Sequence, residues 1–201
     1  MTATGRATSS DDNLLRLLRS GDESAFIALY RQWQSPIYRF ALRMTGREAL
    51  AEDVVQETFL TVVNGVPGYE PERGSFTGWL FGVARHQVLR RLRSERPYLP
   101  IAEGAGDVPA PDDPHAELAE RQELARLRRA ILALPEHYRE ALVLCGLQGV
   151  SYEDAAEALG CAMGTVRSRL SRGREILAGR LREDAARPMV AGRLRLAGGE
   201  P

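Results

Sequence analysis

Lysine is missing from this chain of 201 residues: all 27 basic side chains are arginine, and 27 acidic side chains bring the formal net charge to zero. Arginine alone suits phosphates and guanine edges; a GC-rich coding bias produces the same composition. Cysteine occurs twice, at Cys145 and Cys161, too few for a disulfide framework. Cys145 falls in an apolar helical run and Cys161 at an apolar turn position, the pattern of buried thiols rather than a redox pair. The three histidines, His86, His115 and His137, are scattered and stand at no metal-ligand spacing with cysteines or acids. There is no P-loop, no GxSxG and no HExxH. No apolar run is long enough to cross a bilayer, and the opening MTATGRATSSDD lacks the apolar core of a signal peptide. These absences argue against an enzyme, a metal site, a cofactor or a small-molecule substrate, and lead us to expect a reduced, cytoplasmic protein.

Strand alternation of any length is also missing, as are internal repeats. Helical periodicity, with 44% apolar residues to fill a core, predicts an all-α chain. The zero net charge hides strong alternation. Residues 11–70 carry −3 and residues 85–96 carry +4. Residues 97–123 carry −6, and residues 162–182 carry +5, with six arginines against Glu175 alone. Two basic patches separated by an acidic stretch predict two separate contacts with a polyanion.

The second basic patch belongs to a strong local pattern. Ser151 with Asp154 three residues on is a capping-box signature, followed by Tyr152, Ala155, Ala156 and Leu159 at helical spacing. Gly160 offers a left-handed cap, Cys161 to Met163 form the turn, and Gly164 allows close backbone approach. A second helix carries Val166, Leu170, Gly173, Leu177 and Leu181 on one face. Arg167, Ser168, Ser171, Arg172 and Arg174 line the other. Two short helices, a tight turn and a basic outer face describe a helix-turn-helix.

The rest of the chain reads as helices between breakers. Residues 1–10 are expected to be disordered. Asp11 or Asp12 caps a helix with Leu14, Leu15, Leu17 and Leu18, and Gly21 ends it. Asp22 opens the next, where Pro36 kinks or restarts the run, and Gly46 closes it. Residues 47–63 turn Leu50, Val54, Val55, Phe59 and Val62 inward and Glu48, Glu52, Asp53, Gln56 and Glu57 outward. A Gly- and Pro-rich loop at 64–75, holding Tyr69, leads into a long helix at 76–96. Residues 97–114, with five prolines, read as a linker. Beyond it, Leu124, Leu127, Ile131 and Leu134 mark another helix, Pro135 a break, and Glu136 to Leu147 a hydrophobic helix. Residues 184–201 read as a frayed tail.

Three phrases carry a family resemblance. AEDVVQETFL (51–60) resembles region 2.2 of the extracytoplasmic-function (ECF) group of bacterial sigma-70 factors. GSFTGWLFGVARH (74–86) resembles the end of region 2.3 with region 2.4, and residues 134–177 resemble region 4. The likeness runs in order over residues 11–182. It implies two small helical domains, region 2 at 11–96 and region 4 at 115–183, joined by a flexible linker. By that resemblance Glu52, Asp53, Gln56 and Glu57 dock on the β′ clamp helices of core RNA polymerase, and region 4 lies near the β flap. Tyr69, Phe76, Arg85, His86, Arg90, Arg91 and Arg93 become candidates for holding the opened −10 strand. Thr165, Arg167, Ser168, Ser171, Arg172 and Arg174 become candidates for the −35 duplex. The implied function is promoter-specific initiation, without bond chemistry of its own. The acidic linker has the charge to mimic nucleic acid in the polymerase channel. The resemblance further implies an anti-sigma partner, often membrane-bound, that could hold the protein at the membrane. The rival reading is a helix-turn-helix regulator that dimerises on a palindromic operator; it explains residues 151–182 but not the two earlier phrases.

Overall fold

Breakers and caps set where the helices stop. In α2 (Glu23–Thr45), Asp22 is the cap, its carboxylate accepting the Ser24 N–H at 2.8 Å. Gly46, at φ 72°, closes α2 and donates its N–H to the Leu42 carbonyl at 2.7 Å. Before it lies α1 (Thr4–Arg19), and after it α3 (Glu48–Val63) and α4 (Phe76–Ser94). The second half consists of α5 (Pro114–Leu132), α6 (Glu136–Ala141) running on into a π-helical turn (Leu142–Leu147), α7 (Tyr152–Leu159) and α8 (Met163–Ala186). The computed structural model describes residues 4–64, 69–70, 74–94 and 114–186, and among these every regular element is helical. None of these helices is long and apolar enough to cross a membrane. The acidic linker expected at 97–114 lies outside the described residues except for Pro114, as does the tail expected at 184–201 beyond Ala186.

Four expectations change. First, α1 starts at Thr4, so Asp11 is an interior position rather than a cap, and residues 4–10, expected to be disordered, lie in that helix. The Asp11 carboxylate faces inward and accepts a hydrogen bond from Gln32 Nε2 at 2.8 Å. Second, Pro36 does not restart a helix. It sits inside α2, and its carbonyl receives Gln148 Nε2 at 2.9 Å. Third, α5 begins at Pro114, a residue suited to a first turn because it has no N–H to satisfy. Fourth, a Cβ on Gly164 would meet none of the described residues within 4 Å. The close contact falls at Gly173, where a Cβ would stand 3.1 Å from the Tyr138 carbonyl oxygen.

The cores of the two halves are continuous. Leu29, Ile37, Phe40 and Met44 of α2 meet Val54 and Val62 of α3 and Leu80, Phe81 and Val88 of α4. Leu142, Leu144, Ala155, Val166 and Leu170 extend the same core through the second half. Each large aliphatic side chain buried this way contributes roughly 1.5–3 kcal/mol. A surface ion pair contributes about 0–1 kcal/mol. The apolar stripes therefore set how the helices dock, and charges trim the result. The helix α4 is central, packing on α3 with one side and on α7 with another.

Candidate nucleic-acid interface

The helix-turn-helix forms as its residues dictate. Ser151 Oγ accepts the Asp154 N–H at 3.0 Å and opens α7, and Gly160, at φ 60°, closes it. In α8, Val166 and Leu170 are buried and Gly173 lets the helix approach the Tyr138 backbone. That leaves Arg167, Ser168, Ser171, Arg172 and Arg174 exposed on the opposite face, with Thr165 half-buried at its edge. Arg167 lies over the Tyr152 ring, 5.4 Å from its centroid, and Arg172 pairs with Glu175 at 2.8 Å. Both contacts are at the surface.

The acidic face of α3 is also where the pattern puts it. Glu52 and Gln56 are exposed, Asp53 and Glu57 half so. Asp53 and Glu57 are not simply solvated. Arg91 Nη1 reaches Asp53 at 2.7 Å and Arg91 Nη2 lies 3.8 Å from Glu57, while Arg90 reaches Glu57 at 3.4 Å. Two arginines assigned from sequence to DNA thus lean on two acids assigned to the polymerase.

The aromatic candidates sit differently from the expectation. Tyr69 is 5% exposed and Phe76 1% exposed, so neither presents a face on which a base could stack. Their rings meet at 5.7 Å, Trp79 stacks on Phe76 at 5.8 Å, and Trp33 closes the cluster. The Tyr69 hydroxyl donates to Asp12 at 2.8 Å, and Arg19 donates to the Tyr69 carbonyl at 2.8 Å. Burial, then the bond to Asp12, pushes the Tyr69 hydroxyl well above its ordinary pKa, so it stays a donor. Arg85 is held by Glu140, Nε to Oε1 at 2.6 Å, and Glu140 is 1% exposed. His86, Arg90 and Arg93 are exposed along the outer side of α4.

Two features were not anticipated. Ile27, Tyr30, Leu60 and Val63 are exposed large apolar residues on α2 and α3, beside Gln56 and Glu57. Tyr30 packs on Phe59 at 4.7 Å. The signal was present: Leu60 and Val63 add apolar positions to α3 beyond the stripe its core needs. The other feature is a set of carboxylates from the second half against the start of α4. Glu157 accepts the Ser75 N–H at 3.0 Å, and Asp154 bonds the Ser75 hydroxyl. Burial raises the Glu157 carboxyl, and the Ser75 N–H works against that. Nothing in local sequence announces a contact between residues about eighty positions apart. Both cysteines are free; burial pushes the Cys145 thiol up to about 11. Among the described residues no group of three or more histidines, cysteines and acids is gathered for a metal.

Comparison with known proteins places these parts in one frame. The Sigma-70 region 2 family matches residues 29–98, and the Sigma-70, region 4 family matches residues 124–177. The ECF RNA polymerase sigma factor SigE of Mycolicibacterium smegmatis is 39% identical over 79% of this chain. This chain spans 63% of that relative's length. The ECF RNA polymerase sigma factor SigC of Mycobacterium tuberculosis is 35% identical over 85% of this chain and 93% of its own length. Among solved structures, CnrH in complex with the cytosolic domain of CnrY has a TM-score of 0.68 at 28% identity, covering 87% of this chain and 98% of CnrH. RpoE of Bartonella quintana, in complex with the anti-sigma factor NepR, gives 0.62 at 28% identity over 79% and 98%. A dimeric helix-turn-helix regulator leaves the match at residues 29–98 without an explanation.

Proposed function

The chain belongs to the ECF group of the sigma-70 family, and from that premise we propose that it binds core RNA polymerase and directs it to promoters through two DNA-reading surfaces. The observation that carries the reading is α8. Its buried stripe fixes the helix against the core and leaves Arg167, Ser168, Ser171, Arg172 and Arg174 aligned on the outer side. That face fits the major groove of the −35 duplex, where arginine bonds guanine O6 and N7 together and discriminates by about 1–3 kcal/mol. Thr165, at the edge of the face, suits a phosphate contact near the helix N-terminus.

Core polymerase docks on α3, in this reading. Glu52, Asp53, Gln56 and Glu57 supply the polar part and Ile27, Tyr30, Leu60 and Val63 the apolar part. An acidic face beside an exposed apolar patch fits a basic coiled coil, the partner surface that the family resemblance places on the β′ clamp helices. The opened −10 strand runs along α4. His86, Arg90 and Arg93 hold its backbone, joined by Arg85 and Arg91 once their present ion pairs are exchanged. The relatives solved with anti-sigma factors or partner domains support a partner of that class for this chain. A site for it in the cytoplasm, free or tethered through that partner, follows from the same reading.

Binding to core RNA polymerase tests the proposal directly. Leu60→Asp with Val63→Asp, at exposed positions, weakens binding at least tenfold, about 1.4 kcal/mol, and leaves helicity unchanged. A triple change at Asp53, Gln56 and Glu57 does the same. Equal binding by wild type and both variants removes α3 from the interface and with it this reading.

A further inference from the structure

Arg167 is held differently from the other arginines along α8. Arg172 gives its charge to Glu175, Nη1 to Oε2 at 2.8 Å. Arg169 turns its Nη1 back to Cys161 Sγ, at 3.9 Å. Arg167 lies over the face of the Tyr152 ring, 5.4 Å from its centroid, and donates from Nη2 to Met163 Sδ at 3.7 Å. A ring face and a thioether take little from a guanidinium. Neither carries a formal charge, and thioether sulfur is a weak acceptor. Arg167 therefore keeps its charge and nearly all its N–H donors, while the ring restricts where its side chain can go.

The two helices of the motif place these contacts from opposite sides. Tyr152 is the first residue of α7, directly after the Ser151 cap, whose Oγ accepts the Asp154 N–H at 3.0 Å. The cap fixes the backbone from which the ring projects. Met163 is the first residue of α8 and stands one turn before Arg167, on the same side of the helix. Val166 and Leu170 are buried and set the roll of α8, so Arg167 can only leave on the outer side. Tyr152 is 36% exposed, too open for a core role. What its ring covers is the guanidinium of the next helix.

We propose that Tyr152 and Met163 are positioning residues that hold Arg167 poised for one guanine of the −35 duplex, so that α7 sets the specificity of a contact made by α8. The proposal rests on the reading of α8 as the −35 helix. An arginine that bonds guanine O6 and N7 together must give up its side-chain freedom to do so. Arg167 has given up part of that freedom before DNA arrives, and a preorganised group loses less on binding. It also has no carboxylate to leave. Arg172 must first part from Glu175, and that loss offsets whatever it gains in the groove. The sharpest guanine preference therefore belongs to the base pair that Arg167 reaches, and it depends on a side chain of the other helix.

The test uses the full chain and a short duplex DNA library of randomised sequence. Sequencing of the bound fraction gives the motif, and fluorescence anisotropy then measures each base substitution in the enriched duplex. Arg167→Ala should erase the guanine preference at one base pair. Tyr152→Ala should lower that same preference about fivefold, the scale of a cation–π contact at an exposed site, and should add nothing once Arg167→Ala is present. Tyr152→Phe keeps the ring face and should keep the preference; Arg172→Ala should alter a different base pair. Circular dichroism checks that each variant is folded. An unchanged motif in Arg167→Ala, or an unchanged guanine preference in Tyr152→Ala, overturns the proposal. So does an equal loss by Tyr152→Ala on every sequence; the same loss in Tyr152→Phe would make the hydroxyl a phosphate ligand. A wild-type chain that enriches no sequence removes the −35 reading and this proposal with it, while core-polymerase binding through α3 is judged separately.

Discussion

Asp11 shows how one side chain can work against the fold it belongs to. It is 1% exposed, its Oδ1 is satisfied by Gln32, and its Oδ2 has no partner among the described residues. Desolvation raises its carboxyl above 3.8, so the folded chain holds the proton more tightly than the unfolded chain does. Stability then falls as pH rises through the folded value, and at neutral pH the charge is a burden. Asp11→Asn should stabilise by about 1 kcal/mol at pH 7, the scale of relieving a poorly satisfied buried group. The gain should shrink as the solution is acidified toward the carboxyl range. Thermal melts at pH 7 and pH 4 measure it; a pH-independent difference would assign the effect to something other than the charge. Cys145 gives a second check at this scale. With its thiol near 11, only about one molecule in a thousand is thiolate at pH 8. Alkylation of Cys145 should therefore be far slower in the folded chain than in denaturant, and should quicken with each unit of pH. Equal rates at pH 8 would mean that the thiol is not buried in solution.

Helix ends are where local chemistry decides. Ser151→Ala removes the acceptor for the Asp154 N–H and should lower stability by about 1 kcal/mol. Urea unfolding followed by circular dichroism reads this as a lower midpoint at an unchanged slope; an unmoved midpoint would mean that Asp154, held by Ser75, secures the turn without the cap. Such ends were legible before any coordinates: Asp22, Gly46, Ser151 and Gly160 each do locally what their residue types prescribe. So were the faces of α3 and α8, because a stripe at helical spacing fixes its own opposite side. What could not be read is set by partners distant in sequence. Tyr69 in a Gly- and Pro-rich loop has the pattern of an exposed aromatic, yet Asp12, Phe76 and Trp79 enclose it. By sequence Asp154 is the far half of a capping box, but its carboxylate turns to Ser75. Arg85, Arg90 and Arg91 are phosphate candidates by resemblance, and each has an acidic partner that the charge counts could suggest but not place.

At the scale of the molecule, the two halves differ in how much they need each other. The first half has a large aromatic and aliphatic core of its own in Trp33, Phe40, Phe59, Phe76 and Phe81. One side of α4 and the end of α2 nonetheless finish against the second half. Leu132 rests on Gly46, Arg139 caps the Met44 carbonyl, and α7 lies along Gly78 and Gly82. Cutting the chain after residue 96 uncovers those surfaces and leaves Arg85 without Glu140. The fragment 1–96 should remain helical, because its main core is internal. It should melt several degrees below the same helices in the full chain, since each lost kcal/mol lowers the midpoint of a domain this size by about 4–8 °C. Differential scanning calorimetry of the two chains makes the comparison. A fragment that melts at or above the full chain would mean that the halves touch without stabilising each other. The carboxylates of Glu140, Asp154 and Glu157 would then mark where the halves meet rather than what keeps them together.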